Sequence, residues 1–143
     1  MPNALIRPAS AADAHAIAAL LAELAHPTDA AAIPQRLVGV RAEGGDAFVA
    51  CDADGRVLGF FSIARNAVVH GSGAVALITA LVVAESARGR GVGRRMVEQA
   101  RKWARGAGCV RLLVTSAERR ADAHAFYEAC GMPYTGRRFA CEV

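Results

Sequence analysis

The chain has 143 residues, of which 54% are hydrophobic and 21% charged, and its formal net charge at pH 7 is +4. This composition excludes a disordered chain and suffices for one domain with a buried core, so we expect residues 1–143 to form a single domain. No apolar run reaches the roughly 18 residues that a membrane span needs. The first residues, MPNALIRPAS, lack the basic-then-apolar order of a secretory signal. We therefore expect a cytoplasmic protein with no membrane partner.

The four cysteines are widely spaced and form no CxxC pair. Zinc sites usually have closely spaced ligands, so this pattern argues against a metal site. In a reducing cytosol the pattern predicts small buried side chains at all four positions: Cys51, Cys109, Cys130 and Cys141.

The first half of the chain predicts a strand, two helices and a hairpin. ALIRPAS is typical of a short strand, and from Ser10, an expected N-cap, apolar residues recur at helical spacing. A second helix is expected at Gln35–Ala42, before the break EGGD. AFVAC, DADG and RVLGFFSIARNAVV then predict a strand, a turn and a strand, because Asp-Gly turns favour hairpins.

The second half predicts strands that alternate with helices. AVALITALVVAE is a nearly unbroken apolar strand, so residues 75–84 are expected at the centre of the sheet with both faces buried. GRRMVEQARKWARGAG and RADAHAFYEACG predict helices that end in glycine, CVRLLVTS predicts a strand, and YTGRRFACEV predicts a last strand. The order β α α β β β α β α β predicts an α/β fold, a central mixed sheet with helices on both faces.

Glycines and arginines alternate between the apolar strand and the next helix, in SARGRGVG (86–93). A helix N-terminus presents backbone N–H groups without partners and the positive end of the helix dipole. An anion approaches that backbone only where side chains are small, which the three glycines provide. Between Arg88 and Arg120, ten basic residues stand against two acidic ones, a local charge of +8. The loop therefore predicts a pyrophosphate cradle.

Other interpretations of this loop fit less well. The Walker pattern GxxxxGK[ST] is absent, and the chain has one lysine, Lys102. The dinucleotide pattern GxGxxG has a different spacing and follows the first strand of its domain. Gly/Arg segments that bind RNA are disordered, and a plain strand-to-helix turn needs one glycine rather than three.

Two motifs resemble those of a known family. Arg88-x-x-Gly91-x-Gly93, after LVVAESA and before RRMVEQA, resembles the [QR]xxGx[GA] acetyl-CoA motif of the GNAT superfamily of N-acetyltransferases. HAFYEACGM is similar to that superfamily's second signature, a helix with Phe-Tyr followed by Gly and a hydrophobic residue. The element order agrees along essentially the whole chain. The resemblance implies the GNAT acyl-CoA N-acyltransferase fold, acetyl-CoA as cosubstrate, and no metal.

The resemblance also implies roles for individual residues. Pantetheine would lie between the apolar strand and the next parallel strand, on the backbone of Leu81, Val82 and Val83. A backbone N–H near Val83 would polarise the thioester carbonyl, as in an oxyanion hole. Tyr127 matches the family tyrosine near the sulfur, so it is the expected general acid and a further cosubstrate contact. The pyrophosphate would be held by residues 88–94: Arg88, Gly89, Arg90, Gly91, Val92, Gly93 and Arg94.

The general base has no assigned residue. Many relatives carry a carboxylate on the central strand, whereas VALITALVV has none and Thr79 cannot act as a base. Glu23, His26 and Asp29 lie near the end of the first helix, where the family's acceptor wall forms, but each is also an ordinary surface residue. A water chain is the other alternative.

The segment before Tyr127 departs from the common family pattern. Arg120 stands where many relatives have Asn, and the proline common after the central strand is replaced around Glu85. TSAERRADAHAFY resembles a bacterial subgroup of small GNAT proteins. Ser116 would then reach the cosubstrate or cap the helix, and His124 would orient a partner or simply pack.

These observations predict an N-acetyltransferase that moves an acetyl group from acetyl-CoA to a primary amine of a small molecule or peptide by direct attack. A homodimer is the expected assembly. HPTDAAA offers one carboxylate, so an aminoglycoside acceptor is the weaker option. A catalytically silent acetyl-CoA sensor and a nucleic-acid-binding module stay open as alternatives, motivated by the missing strand carboxylate and the local charge. We expect CoA, not nucleic acid, at the basic site.

Overall fold

Five strands form one mixed sheet in the computed structural model, which describes residues 4–115 and 121–143. The strands lie side by side in chain order, and each neighbouring pair is antiparallel except the last two, which are parallel. They are β1 Leu5–Pro8, β2 Asp46–Cys51, β3 Val57–Asn66, β4 Ala74–Val83 and β5 Cys109–Val114. A parallel pair needs a crossover connection, which the helix between β4 and β5 supplies.

Helices cover both faces of this sheet, as the sequence predicts. They are α1 Ala14–Glu23, α2 Ile33–Ala42, α3 Val92–Gly106 and α4 Ala121–Ala129. On one face α3 buries its apolar stripe, including Met96 and Ala100, against Phe61 and Ile78. On the other face α1 and α2 pack on a second cluster of the sheet, which contains Ile17, Leu37, Val49, Phe60 and Val82. The helical spacing in the sequence therefore identified the buried sides of α1 and α3.

An ion pair ties β1 to the turn before α1. Asp13, the buried charged residue of the described chain, accepts two hydrogen bonds from Arg7, at 2.8 and 2.9 Å. Its carboxylate also accepts from the backbone N–H of Ser10 at 2.8 Å. The bonds from Arg7 hold the pKa of Asp13 below its usual value, against the opposing effect of burial. Ser10 begins a short 3-10 turn at Ala11–Asp13 rather than α1 itself.

Two sequence predictions about the sheet are wrong. The middle strand is β3, and β4 lies between β3 and β5 with Thr79 exposed, so β4 is neither central nor buried throughout. The described residues also contain no strand after α4, although YTGRRFACEV predicts one. A cavity of about 830 Å³ separates Leu112–Val114 of β5 from the segment 131–138. Without a neighbouring backbone at hydrogen-bond distance, a segment predicted as a strand does not form one.

The structure also differs from the sequence predictions at the start of α2 and at one of the four cysteines. The second helix begins at Ile33, two residues before the predicted start, because Pro34 is well suited to a first helical turn. Cys51 and Cys130 are buried as predicted and Cys109 is half-buried, whereas Cys141 is exposed, so for that residue the prediction is wrong.

Candidate active site

A gap opens between β4 and β5 over the second half of β4. The pairing of β4 with β3 continues to Val83, whereas its parallel pairing with β5 ends at Ile78 opposite Val114. Among residues 4–115 and 121–143, residues 80–83 of β4 therefore have a strand partner on the β3 side only. Their backbone groups on the other side are open to a ligand that can pair like a strand.

A β-bulge lies where this gap begins. Ser62 of β3 pairs with Ala80 and Ile63 pairs with Ile78, so Thr79 is an extra residue in β4. A bulge changes which side chains face which side of a sheet. The cluster under α3 accordingly contains Ile78 before the bulge but Leu81 and Val83 after it. Beside the bulge, the hydroxyl groups of Ser62 and Thr79 are hydrogen-bonded at 2.6 Å.

The backbone of β4 beyond the bulge alternates between β3 and the gap. The N–H of Ala84 donates to the carbonyl of Leu58 at 2.7 Å, on the β3 side. Because successive strand residues point their N–H and C=O groups to opposite sides, Val82 also turns these groups toward β3, while Leu81 and Val83 turn theirs toward the gap. In agreement with this, the Val83 carbonyl accepts a hydrogen bond from Arg88 Nε at 3.2 Å.

Two glycines shape the loop at the mouth of the gap. Gly89 and Gly91 have φ of +80° and +81°, the left-handed region that other residues avoid, and Gly91 is the N-cap of α3. No heavy atom would lie within 4 Å of a Cβ added at either position. The first intrahelical bond of α3 runs from Arg95 N to Gly91 O at 3.1 Å, so the N–H groups of residues 92–94 precede it. The loop thus presents backbone amides beside open space, the arrangement that suits an anion.

Gly93 is required for packing, whereas the sequence suggested that it serves the approach of an anion. A Cβ added there would lie 3.0 Å from Phe126 Cζ and 3.5 Å from Val83 Cγ2. The missing side chain therefore lets α4 pack closely on the first turn of α3. Val92 points its side chain into the core, where it is 3% exposed, so only its backbone can meet a ligand.

The loop arginines are exposed, and three of them donate to backbone carbonyls. Arg88 donates to Val83 O as described, Arg90 to Ser86 O at 2.7 Å, and Arg94 to Ala129 O at 3.4 Å. The bonds of Arg88 and Arg90 hold their side chains near the mouth of the gap, where guanidinium groups suit phosphate geometry, whereas Arg94 extends to the end of α4.

Glu23 contacts this loop across 62 residues of sequence. Its Oε1 atom accepts a hydrogen bond from the backbone N–H of Glu85 at 3.1 Å and lies 3.5 Å from Arg88 Nη2. The sequence suggested Glu23 as a candidate base, but the structure uses its carboxylate to join α1 to the loop. Of the other two candidates, Asp29 accepts from Ala31 N at 3.0 Å as an N-cap, and His26 is exposed. No local sequence signal could have identified the Glu23 contact, because it depends on how α1 packs.

The second signature contributes two aromatic rings in different surroundings. Phe126 lies against Gly93, while Tyr127 lines the cavity between β5 and the C-terminal segment, together with His124. The two ring centroids are 5.2 Å apart in an edge-on arrangement. Ser116 and Arg120 lie outside the described residues.

The described residues contain neither a metal-binding group nor a helix that could cross a membrane. Within residues 4–115 and 121–143, no three His, Cys, Asp or Glu side chains form a group that could hold a metal ion. Over the same ranges, none of the helices is both long enough and apolar enough for a bilayer crossing.

Comparison with known proteins agrees with this architecture. Residues 15–132 match the Acetyltransferase (GNAT) family. An aminoglycoside N(6')-acetyltransferase type 1 from Stenotrophomonas maltophilia is 36% identical over 131 residues, covering 79% of this chain and 86% of the relative.

Solved structures show the same fold at lower identity. An acetyltransferase from Trypanosoma brucei has a TM-score of 0.83 at 23% identity, covering 99% of this chain and 100% of that one. Glucosamine-6-phosphate N-acetyltransferase from Arabidopsis thaliana has a TM-score of 0.84 at 20% identity and 97% coverage of both chains. An aminoglycoside 6'-N-acetyltransferase from Acinetobacter haemolyticus has a TM-score of 0.77 at 20% identity, covering 97% and 99%. The chain belongs to the GNAT acetyltransferase family and is an N-acetyltransferase.

Proposed function

We propose that this enzyme transfers the acetyl group of acetyl-CoA to a primary amine. The observation that carries the proposal is the half-unpaired β4 strand, which leads directly into a loop of left-handed glycines at the N-terminus of α3. An extended arm with amide groups fits the open edge of β4, and a pyrophosphate fits the amides of residues 91–94. Acetyl-CoA contains both groups, because its pantetheine arm carries two amides and is joined directly to a pyrophosphate.

Individual residues then have distinct roles in this proposal. Leu81 and Val83 offer N–H and C=O groups to the pantetheine arm, and the N–H of Leu81, which is the nearer of the two to the closed end of the gap, stabilises the oxyanion that develops on the thioester carbonyl. Val82 contributes through packing, because its backbone turns toward β3. Arg88 would have to leave the Val83 carbonyl when an amide of the arm takes its place.

We keep Tyr127 as the proposed general acid for the departing thiolate and Ser116 as a proposed cosubstrate contact. The amine attacks the thioester carbon directly, the C–S bond breaks, and the thiolate sulfur takes up a proton. The tyrosine hydroxyl would supply that proton and regain one from solvent.

The acceptor is proposed as a primary amine of a small molecule, with a peptide amine as the second candidate. An aminoglycoside is the first compound to test, since the Stenotrophomonas relative carries that activity in its name. Glu23 and Asp29, two of the carboxylates near α1 and α2, already bind Arg88 and cap a helical turn. A polycationic acceptor would therefore have to compete with these contacts for both carboxylates.

A thiol-release assay tests the proposal. The enzyme is incubated with acetyl-CoA and a panel of amines that pairs a 6'-amino aminoglycoside with its 6'-hydroxy counterpart and includes simple alkyl amines and a peptide. Amine-dependent CoA release is the expected result. Calorimetric binding of acetyl-CoA without turnover of any amine would instead indicate the sensor, and salt-dependent oligonucleotide binding that CoA does not displace would indicate a separate nucleic-acid site.

We also propose that the enzyme works in the cytoplasm as a homodimer. Light scattering coupled to gel filtration tests the assembly, and a monomer at all concentrations would refute it.

A further inference from the structure

We propose that the paired hydroxyl groups of Ser62 and Thr79 receive the attacking amine and pass its proton to solvent. This inference rests on the proposed function, and it concerns a step for which β4 carries no ionisable side chain. The two oxygens are 2.6 Å apart, on neighbouring strands, at the bulge where the gap begins.

The hydroxyl pair lies at the closed end of the gap between β4 and β5. The glycine loop lies at the open mouth of the gap, beyond Val83, and the gap closes at Ile78 where pairing with β5 resumes. A cosubstrate arm anchored by its phosphates at the loop must point its thioester end toward the closed end. Thr79 is the first residue of β4 beyond that closure, about 13 Å along the strand from Val83 at 3.3 Å per residue. The hydroxyl pair therefore lies at the acetyl end of the arm.

The hydroxyl pair also lies on the face of the sheet that α1 and α2 cover. Ala80 and Val82 pack on the cluster under α1 and α2, and Ser62, opposite Ala80, lies on that same face. The glycine loop and the first turn of α3 lie toward the other face, beside the cluster that contains Val92. An amine that reaches the thioester from the α1–α2 side, opposite to the cosubstrate, would meet these hydroxyl groups first.

In the part of the chain that the structure describes, the titratable groups on α1 and in the turn before it are engaged or face elsewhere. On α1, Glu23 binds the loop, and His15 is exposed on the side away from the buried Ile17 and Leu20. Asp13, in the turn before α1, is paired with Arg7.

The described titratable groups on β2, β3, α2 and β5 are likewise paired, buried or cationic. On β2, Asp46 is paired with Arg41 of α2 at 2.9 Å, and Cys51 is buried. On β3, Arg65 donates to Ala107 O at 2.8 Å. The remaining groups on α2 and β5 are the cation Arg36, the half-buried Cys109 and the cation Arg111. Of these groups, none is a carboxylate or imidazole placed to take a proton at the bulge. On α4, His124 and Tyr127 line the cavity beside Val114, and the pH profile described below tests whether such a group acts as a base instead.

The proposed step balances without an enzyme base. The amine arrives in its neutral form, and its nitrogen forms a bond to the thioester carbon while the C–S bond breaks. The excess proton on nitrogen moves to one hydroxyl oxygen of the pair, that group gives its own proton to the second hydroxyl, and the second gives one to water. Both hydroxyl groups end unchanged, one proton reaches solvent, and the thiolate is protonated separately. A hydroxyl cannot hold a negative charge at neutral pH, so the pair acts as a relay.

Variants of Thr79 and Ser62 test this role. Thr79→Val keeps the shape and removes the hydroxyl, and we expect kcat to fall about 10- to 100-fold, up to the lower end of the range for proton transfer because water can partly replace the relay. The Kd for CoA should stay within about 2-fold, because the pair makes no cosubstrate contact in this proposal. Thr79→Ser should restore kcat, Ser62→Ala should resemble Thr79→Val, and the double variant should be little worse than either single one. Ser72→Ala, in the exposed β3–β4 turn, is the matched control and should leave kcat unchanged.

The pH profile of the wild-type enzyme tests whether an ionisable enzyme group takes the proton instead of the relay. We compare two accepted amines, one with a pKa near that of a peptide α-amine, about 8, and one near that of lysine, about 10.4. The midpoint of log kcat/KM should follow the pKa of each amine in the wild-type enzyme.

The outcomes separate this inference from the proposed function. A midpoint that stays fixed for both amines would reveal an enzyme base and overturn the relay, as would wild-type kcat in Thr79→Val. Absence of acetyl transfer in the wild-type enzyme would overturn the proposed function and the relay together.

Discussion

Replacing Gly91 by alanine tests two properties of the glycine loop separately. One is the left-handed backbone conformation, and the other is the open space that an anion needs beside the N–H groups. Gly91 has φ of +81°, and no heavy atom lies within 4 Å of an added Cβ, so the substitution creates no clash. The expected loss of stability is therefore conformational. An L-residue in the left-handed region costs about 1–2 kcal/mol, which lowers Tm by roughly 3–8 °C in a chain of this size.

The effect of Gly91→Ala on CoA binding should exceed this loss. Relaxation of the N-cap turns the N–H groups of Val92 and Gly93 away from the open space, and the new methyl group projects into it. Loss of one hydrogen bond to a charged group costs about 1.5–3 kcal/mol, so we expect Kd for CoA to rise about 10- to 100-fold. Isothermal titration calorimetry at a temperature well below the Tm of the variant measures this.

Gly55→Ala is the matched control for this measurement. Gly55 has φ of +84° with no heavy atom near an added Cβ, but it lies in the β2–β3 hairpin. It should lose a similar amount of stability and keep the wild-type Kd. Unchanged CoA affinity in both variants, with both destabilised, would refute the assignment of the loop to the pyrophosphate.

Further predictions address the general acid, the ion pair and the α3–α4 contact. Tyr127→Phe should lower turnover about 10-fold or more in the thiol-release assay, and unchanged turnover removes Tyr127 from the mechanism. Because Arg7 lowers the pKa of Asp13 in the folded state, its stabilisation is present above the unfolded pKa of about 3.9 and is lost as pH falls through the folded value. In urea melts, Asp13→Asn should flatten this loss of stability at acidic pH, and an unaltered acid dependence would contradict the account. Gly93→Ala should destabilise by about 1 kcal/mol, as overpacking exceeds the gain in helix propensity, and Phe126→Leu should partly reverse it in thermal melts.

Local patterns determined much of the fold and the position of the cosubstrate loop. The apolar spacing that identifies α3 and the Asp-Gly turn between β2 and β3 depend on neighbours within a few residues, so the sequence expresses them directly. The positive φ of Gly89 and Gly91 likewise follows from residue type and position between a strand and a helix. Family membership could also be inferred, because the two motifs are short and contiguous.

Only the tertiary structure decided which groups meet across long sequence separations. The bulge at Thr79, the contact of Glu23 with Arg88, and the packing of Phe126 on Gly93 depend on strand register and helix docking. The predicted last strand, residues 134–143, is a further example, because a strand also needs a neighbouring backbone and the described chain provides none there. SARGRGVG therefore predicts the acetyl donor from sequence alone, because backbone amides at a helix start bind phosphate through local geometry. The surroundings that we propose for the attacking amine are built from separate elements, and only the packing of the chain brings those elements together.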